Sequence, residues 1–247
     1  MGEGPYSCKP LLMSQIATYV QMDMPLYMGS LSCYFFRTTE NQPGCSQFLP
    51  DVFPHVLFQL EQGAPSFCSA QFPGQGDPLP ILQPGGVYCG LCLPIEFTPC
   101  KVEQILPELQ KVLVEETDLV WISGQWAKLV QQHQREQSDF KSGIYHVLEQ
   151  IQQQGVPGGV REMEVSTGYS SRQLYNLFHD WFGMGSQGYL RLLRFRRSLD
   201  VLASNGASPS KAATSVGYFD QSHYVREFRH FTSSTPTRYL KAVGKIA

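Results

Sequence analysis

The chain has no cysteine beyond residue 100, few basic residues before residue 141, and no apolar run of membrane-spanning length. The last absence excludes a transmembrane helix, which needs about 18 to 20 apolar residues. The first thirty residues lack a basic start followed by an apolar stretch, so no secretory leader is expected and the chain is placed in the cytoplasm. No nucleophile elbow, phosphate-cradling glycine loop or pair of catalytic carboxylates stands out, so no catalytic residue is assigned and no enzyme is expected. What is present is 42% hydrophobic and 16% charged over 247 residues. That is the composition of a globular protein long enough for two domains, each with its own core.

All seven cysteines, Cys8, Cys33, Cys45, Cys68, Cys89, Cys92 and Cys100, fall in the first hundred residues. An odd number cannot pair fully within one chain, and in a reducing compartment most should be free thiols. Cys89-x-x-Cys92 with Cys100 nearby has the spacing of part of a zinc or redox site, but zinc takes four ligands and no second such pair follows. The alternation over residues 87–93 is also what a core strand gives, and small thiols are common in cores, so no metal ligand and no cofactor are assigned. His55, between Pro54 and Val56, reads as a turn or core histidine.

The net charge of −2 hides an asymmetry. Residues 1–140 carry 6 Lys and Arg against 14 Asp and Glu, whereas residues 141–247 carry 13 against 7. The basic half is the one expected to meet phosphate. Its arginines Arg191, Arg194, Arg196, Arg197, Arg226 and Arg229 cluster around two copies of one pattern. In the later copy Tyr224, Phe228 and Phe231 recur at helical spacing, with Ser222, His223, Arg226 and Arg229 on other faces. Ahead of it lie Ala212 and Ala213, small enough for close helix packing, and Gly217, suited to a tight turn. Leu174, Phe178, Trp181, Gly183 and Tyr189 stand 50 residues before Tyr224, Phe228, Phe231, Ser233 and Tyr239, and the Gly168-Tyr169 turn stands 49 before Gly217-Tyr218. Repetition at a fixed offset predicts two copies of one structural unit. In the first copy Arg172, Tyr175, Asn176 and His179 form the face opposite Leu174 and Phe178, and Ser170 is placed to cap the helix.

On these residues the region 143–242 resembles the DNA-binding domain of the AraC/XylS family of bacterial transcription regulators. The matching positions are Gly168-Tyr169-Ser170, Leu174, Phe178, Gly183, Tyr189, Arg194, Leu202, Gly217-Tyr218, Asp220-Gln221-Ser222-His223, Arg226, Phe228, Thr235-Pro236 and Tyr239. The resemblance implies two helix-turn-helix units held by one long helix, each offering a recognition helix to the major groove. Carried over by position, the DNA-binding candidates are Ser170, Arg172, Tyr175 and Asn176 in the first unit. In the second they are Gln221, Ser222, His223, Arg226 and Arg229. The family further implies double-stranded DNA and RNA polymerase as partners, a small-molecule effector and a homodimer. Glu164, Pro209, Ala212 and Ser233 depart from the pattern. Glu164 stands where a small residue packs against the recognition helix, so it is expected to swing outward or to pair with Arg172 or Arg161, weakening the first unit.

Residues 24–100 read as short apolar segments broken by Pro and Gly, which predicts strands over 31–36, 56–60 and 86–93, with loops over 41–44, 62–65 and 73–80. A small barrel or sandwich is expected. Pro25-Leu26, Tyr34-Phe35, Leu49-Pro50-Asp51 and Phe97-Thr98-Pro99 resemble, more loosely, the N-terminal domain of one group of the same family. Ile105, Leu109, Val112 and Leu113, then Ile122, Trp126, Leu129 and Val130, predict two helices that cover the β domain or, as the resemblance implies, form a dimer contact or pass on the sensor's state. Phe140, Ile144, Val147, Leu148 and Ile151 predict the opening helix of the second domain. The fold is therefore expected to be α+β: a β-rich sensor or partner domain with helical connector over 1–137, and an all-α DNA-binding domain over 138–247. The function expected is transcription regulation through DNA. The alternative is a DNA-repair alkyltransferase-type or metal- or thiol-sensing regulator using the N-terminal cysteines.

Overall fold

The computed structural model describes residues 12–13, 16–25, 30–40, 47–48, 51–61, 64–73, 82–94, 97, 99–115, 118–135, 143–204 and 208–242. Two units divide the chain: Met1–Gln47 with Phe53–Lys141, and Phe48–Val52 with Ser142–Ala247. The boundary expected near residue 137 lies outside the described residues, as do Phe140, Cys8, Cys45 and the loop 41–44.

The strands are β1 (Leu12–Met13), β2 (Ile16–Pro25), β3 (Ser30–Thr38), β4 (Gln47–Phe48), β5 (His55–Glu61), β6 (Ala64–Gln71) and β7 (Val87–Cys92). β1 pairs with β4, and the other five form an antiparallel sheet in the order β2-β3-β7-β5-β6. The three strands expected from the sequence are the three central ones. Both faces of these strands are buried, so they read as nearly continuous apolar runs. β2 and β6 are the edges. β2 mixes Gln21 and Asp23 with Met22 and Met24, and β6 opens on Ala64-Pro65 where a loop was expected. A proline, which cannot donate to a ladder, is tolerated on an edge strand.

One sheet face carries Leu31, Cys33, Val56, Phe58, Cys89 and Leu91, all fully buried. Against it pack the helices α1 (Pro99–Glu115) and α2 (Leu119–Arg135), through Ile105, Leu109, Ile122, Trp126 and Val130. Both predicted apolar stripes thus enter the core of this unit. The polar residues from Gln131 onward, which carry no apolar anchor, begin inside α2, which continues to Arg135. The other sheet face carries Tyr34, Phe36, His55 and Tyr88, also buried. Phe36 stacks on Tyr88 with ring centroids 5.1 Å apart, and the Tyr34 hydroxyl lies 3.3 Å from His55 Nδ1. Gly90 lets Tyr34 lie flat on the sheet, since a Cβ there would fall 2.4 Å from the ring. His55 is a core residue of β5.

Cys33, Cys68, Cys89 and Cys100 are free thiols, and Cys92 is disulfide-bonded. Burial, with the neighbouring Cys33, pushes the Cys89 thiol well up, away from the thiolate form that binds metal. Cys89 and Cys92 therefore do not act as a thiolate pair. Among the described residues no three His, Cys, Asp or Glu side chains come together as metal ligands.

The second unit is helical: α3 (Gly143–Gln154), α4 (Val160–Thr167), α5 (Ser171–Phe182), α6 (Ser186–Ala203), α7 (Pro209–Ser215), α8 (Gln221–Thr232) and α9 (Pro236–Ala242). α6 buries Tyr189, Leu190, Leu192, Leu193, Phe195 and Leu199, and Arg194, Arg196 and Ser198 besides, so it is covered on most of its faces, as a central helix must be. Phe178 of α5 meets Tyr189 at 4.8 Å, while Phe228 and Phe231 of α8 meet Phe195 at 5.4 and 4.7 Å. Each such ring contributes roughly 1.5–3 kcal/mol of apolar burial.

Candidate nucleic-acid interface

Two helix-turn-helix units, α4 with α5 and α7 with α8, flank α6, and their turns repeat in backbone detail. Gly168 and Gly217 hold φ of 76° and 78°, the left-handed region that favours glycine. At the other end of each second helix Gly183 has φ 66° and Ser233 has φ 54°. Ser233 is thus a non-glycine residue in a conformation that suits glycine, which is the physical content of that departure. Pro209 is accounted for in another way. It occupies the first turn of α7 behind the N-cap Ser208, where its missing N–H costs nothing.

The starts of α5 and α8 are fixed by side chains. Ser170 caps α5 in a reciprocal box with Gln173, whose side chain accepts from the Ser170 amide at 2.9 Å. Asp220 caps α8 by accepting from the His223 amide at 2.6 Å. Of the two outcomes expected for Glu164, swinging outward or pairing with Arg172 or Arg161, the pairing is not formed, and the carboxylate turns to Ser171 instead. Its Oε1 accepts from the Ser171 amide at 2.6 Å and from the Ser171 hydroxyl. A carboxylate at the first turn of α5 meets the positive end of the helix and satisfies an amide that has no partner within it. Arg172 is left on the exposed face, and Glu164→Ala would remove the acceptor of the Ser171 amide. That variant should lower the stability of the second unit by about 1 kcal/mol, read as an earlier midpoint in urea by circular dichroism; an unchanged midpoint would remove the capping role.

The exposed faces are where the sequence placed them. On α5, Ser170, Arg172, Asn176 and His179 are exposed, and Tyr175 is 53% exposed. The Tyr175 ring stacks on His179 at 5.7 Å, and a Cβ on Gly185 would touch it. On α8, Gln221, Ser222, Arg226 and Arg229 are exposed, and His223 is half-buried edge-on to Tyr218 at 5.3 Å. Ser222, Arg226 and Arg229 stand at i, i+4 and i+7, the register of Arg172, Asn176 and His179 fifty residues earlier.

Three of the six clustered arginines serve the fold instead of the surface. Arg191 of α6 grips Glu227 of α8 with two hydrogen bonds, Nε to Oε2 at 2.8 Å and a terminal nitrogen to Oε1 at 3.0 Å. Burial alone would raise the Glu227 pKa, yet the Arg191 hydrogen bonds and charge, with His223 and His230 nearby, hold it below the ordinary carboxylate value. Being depressed, that carboxylate stabilises the fold above its unfolded pKa of about 4.5 and loses its contribution only as the pH falls below it. Arg194 donates to the Gly158 carbonyl at 3.3 Å, holding the turn between α3 and α4. Arg196 pairs with Asp51 at 2.8 Å, both buried, within the second unit. Spacing along the sequence puts all six near α5 and α8 but does not reveal that Arg191, Arg194 and Arg196 have partners 36 or more residues away. Arg197, Arg226 and Arg229 retain surface exposure.

Residues 165–242 match a family model described as a helix-turn-helix domain, a span that holds α5 through α9 and the end of α4. A search of curated proteins finds no match to the chain. Among solved structures, one of ToxT from Vibrio cholerae is similar at 9% identity and TM-score 0.49, covering 86% of this chain and 98% of that one. A structure of wild-type ToxT from Vibrio cholerae strain SCE256 bound to unsaturated fatty acid aligns at 9% identity and TM-score 0.48, covering 94% of this chain and 98% of that one.

Proposed function

From an AraC-type helix-turn-helix domain in the C-terminal region, we propose that this chain is a sequence-specific DNA-binding transcription regulator that grips one face of a duplex with α5 and α8. The observation that carries this is the doubled geometry: two helices in the same register, capped alike, each with a polar face directed to solvent. Arg172, Tyr175, Asn176, Gln221, Ser222 and Arg226 read base edges in this proposal. Ser170, His223 and Arg229 serve phosphate or fix the helix ends. The first unit acts as a sensor or dimerisation domain, a role supported by its separate core and by the sheet face of Tyr34, Phe36 and Tyr88, with His55 beside Tyr34. RNA polymerase as a partner follows from the same reading.

Selection of binding sites from random duplexes by the purified chain tests the proposal, with and without candidate effectors. Enrichment of one sequence supports it, and no enrichment overturns it. Affinity should fall with salt at a slope of roughly −0.9 per phosphate neutralised, with few such contacts because Arg191, Arg194 and Arg196 are engaged internally. On the selected site Arg226→Ala should cost about 1–3 kcal/mol of discrimination at one base pair, the worth of a guanidinium on the edge of guanine. Arg197→Ala should weaken all sequences alike. A base preference unchanged by Arg226→Ala would remove α8 from the groove.

A further inference from the structure

Phe219 stands at 93% exposure, the highest of any large apolar residue among those described, and it immediately precedes the N-cap of α8. An apolar residue at that position usually folds back onto the fourth residue of the helix. Here the fourth residue is Tyr224, and its partner is Tyr218, whose ring lies 5.0 Å away and is only 7% exposed. Tyr218 also meets His223. The place a stapling side chain would take is filled, and Phe219 has nothing in its own domain to cover.

The repeat says the same thing in another way. In the first unit Gly168 and Tyr169 lead directly into the N-cap Ser170, whereas in the second Gly217 and Tyr218 are followed by Phe219 and only then by the N-cap Asp220. Phe219 is therefore the one extra residue of the second turn. The two glycines hold the same φ within a few degrees, so the addition leaves the turn's entry unchanged. Next along the chain, at the start of α8, come the exposed Gln221, Ser222 and Arg226. The N-terminal end of a recognition helix is the part that reaches base edges.

We propose that Phe219 is a specificity-determining contact, its ring packing on the C5-methyl group of a thymine in the major groove ahead of α8. This rests on the DNA-binding reading above. A phenyl ring has no donor for phosphate, and the thymine methyl is the apolar feature of the major-groove edge. The contact has no counterpart in the first unit, so the second unit reads one feature more.

The test uses the full chain and the duplex it selects, with each thymine replaced in turn by deoxyuridine, which removes only the methyl. One replacement should weaken wild-type binding about 3- to 5-fold, the worth of one buried methyl. Phe219→Ala should lose a similar factor on the unmodified duplex and show no further loss at that replacement, whereas Arg226→Ala should still respond to it. Phe219→Leu should retain part of the effect. Thermal unfolding of Phe219→Ala should match wild type, because the side chain is uncovered. Wild-type affinity in Phe219→Ala, or a deoxyuridine loss that persists in it, overturns the proposal. Unchanged DNA binding with lost transcriptional output overturns it in favour of a protein partner. A wild-type chain that enriches no sequence overturns the DNA-binding reading itself.

Discussion

Asp51→Ala is expected to destabilise the second unit by about 3–5 kcal/mol, because it leaves the Arg196 guanidinium buried without the carboxylate 2.8 Å from it. Asp51 also accepts from the Val52 amide through its other oxygen, at 2.6 Å, so its side chain is held in place by its own backbone. The cost comes from desolvation of the cation and not from the worth of the pair. Replacing both partners together, as Asp51→Leu with Arg196→Met, should therefore cost far less than either single change. Urea titration of the full chain, followed through helical circular dichroism, would give the four midpoints of this cycle. A double replacement as harmful as the sum of the singles would mean that the two residues act separately. A fragment beginning near residue 138 would lack Asp51, and it should be less stable than the same residues in the whole protein.

Trp126→Ala is expected to cost the first unit about 3–5 kcal/mol, the range for truncating a large buried aromatic. Trp126 is fully buried, its ring lies 6.0 Å from Phe58 of the sheet, and its indole N–H donates to the Leu109 carbonyl of α1 at 3.0 Å. One side chain thus joins α2, α1 and β5. Trp126→Phe should recover most of the loss, since it keeps the ring and forfeits the hydrogen bond, worth about 1 kcal/mol. Denaturant unfolding with two probes, strand circular dichroism and a site-specific label on α1, measures this. A loss below about 1 kcal/mol for Trp126→Ala would show that the cluster does not depend on it.

These two predictions mark what could and could not be read from the sequence. Trp126 was legible because helical periodicity placed it on an apolar stripe with Ile122 and Val130, and that stripe is buried against the sheet. The exposed polar faces of α5 and α8 were legible for the same reason, since apolar anchors at helical spacing leave the remaining positions to solvent. Asp51 with Arg196 was not legible, because a charge pattern carries no record of a partner 145 positions away. Nor was the Arg191 grip on Glu227. Glu164 was misread because a carboxylate between two helices looks like a steric fault, whereas the next helix's first amides are donors seeking an acceptor. At β6, Pro65 suggested a loop because edge and centre strands obey different rules, and the sequence does not say which strand is an edge.

The place of Asp51 in the second unit also sets an order in time. At a synthesis rate of about 5–20 residues per second, Arg196 follows Asp51 from the ribosome by roughly 7–30 s. For that interval the carboxylate is available to any cation that the growing chain or its surroundings present. The helical unit cannot close until nearly four-fifths of the chain has been made. A nonsense or frameshift product that stops before α6 would thus carry Asp51 with no Arg196 to receive it.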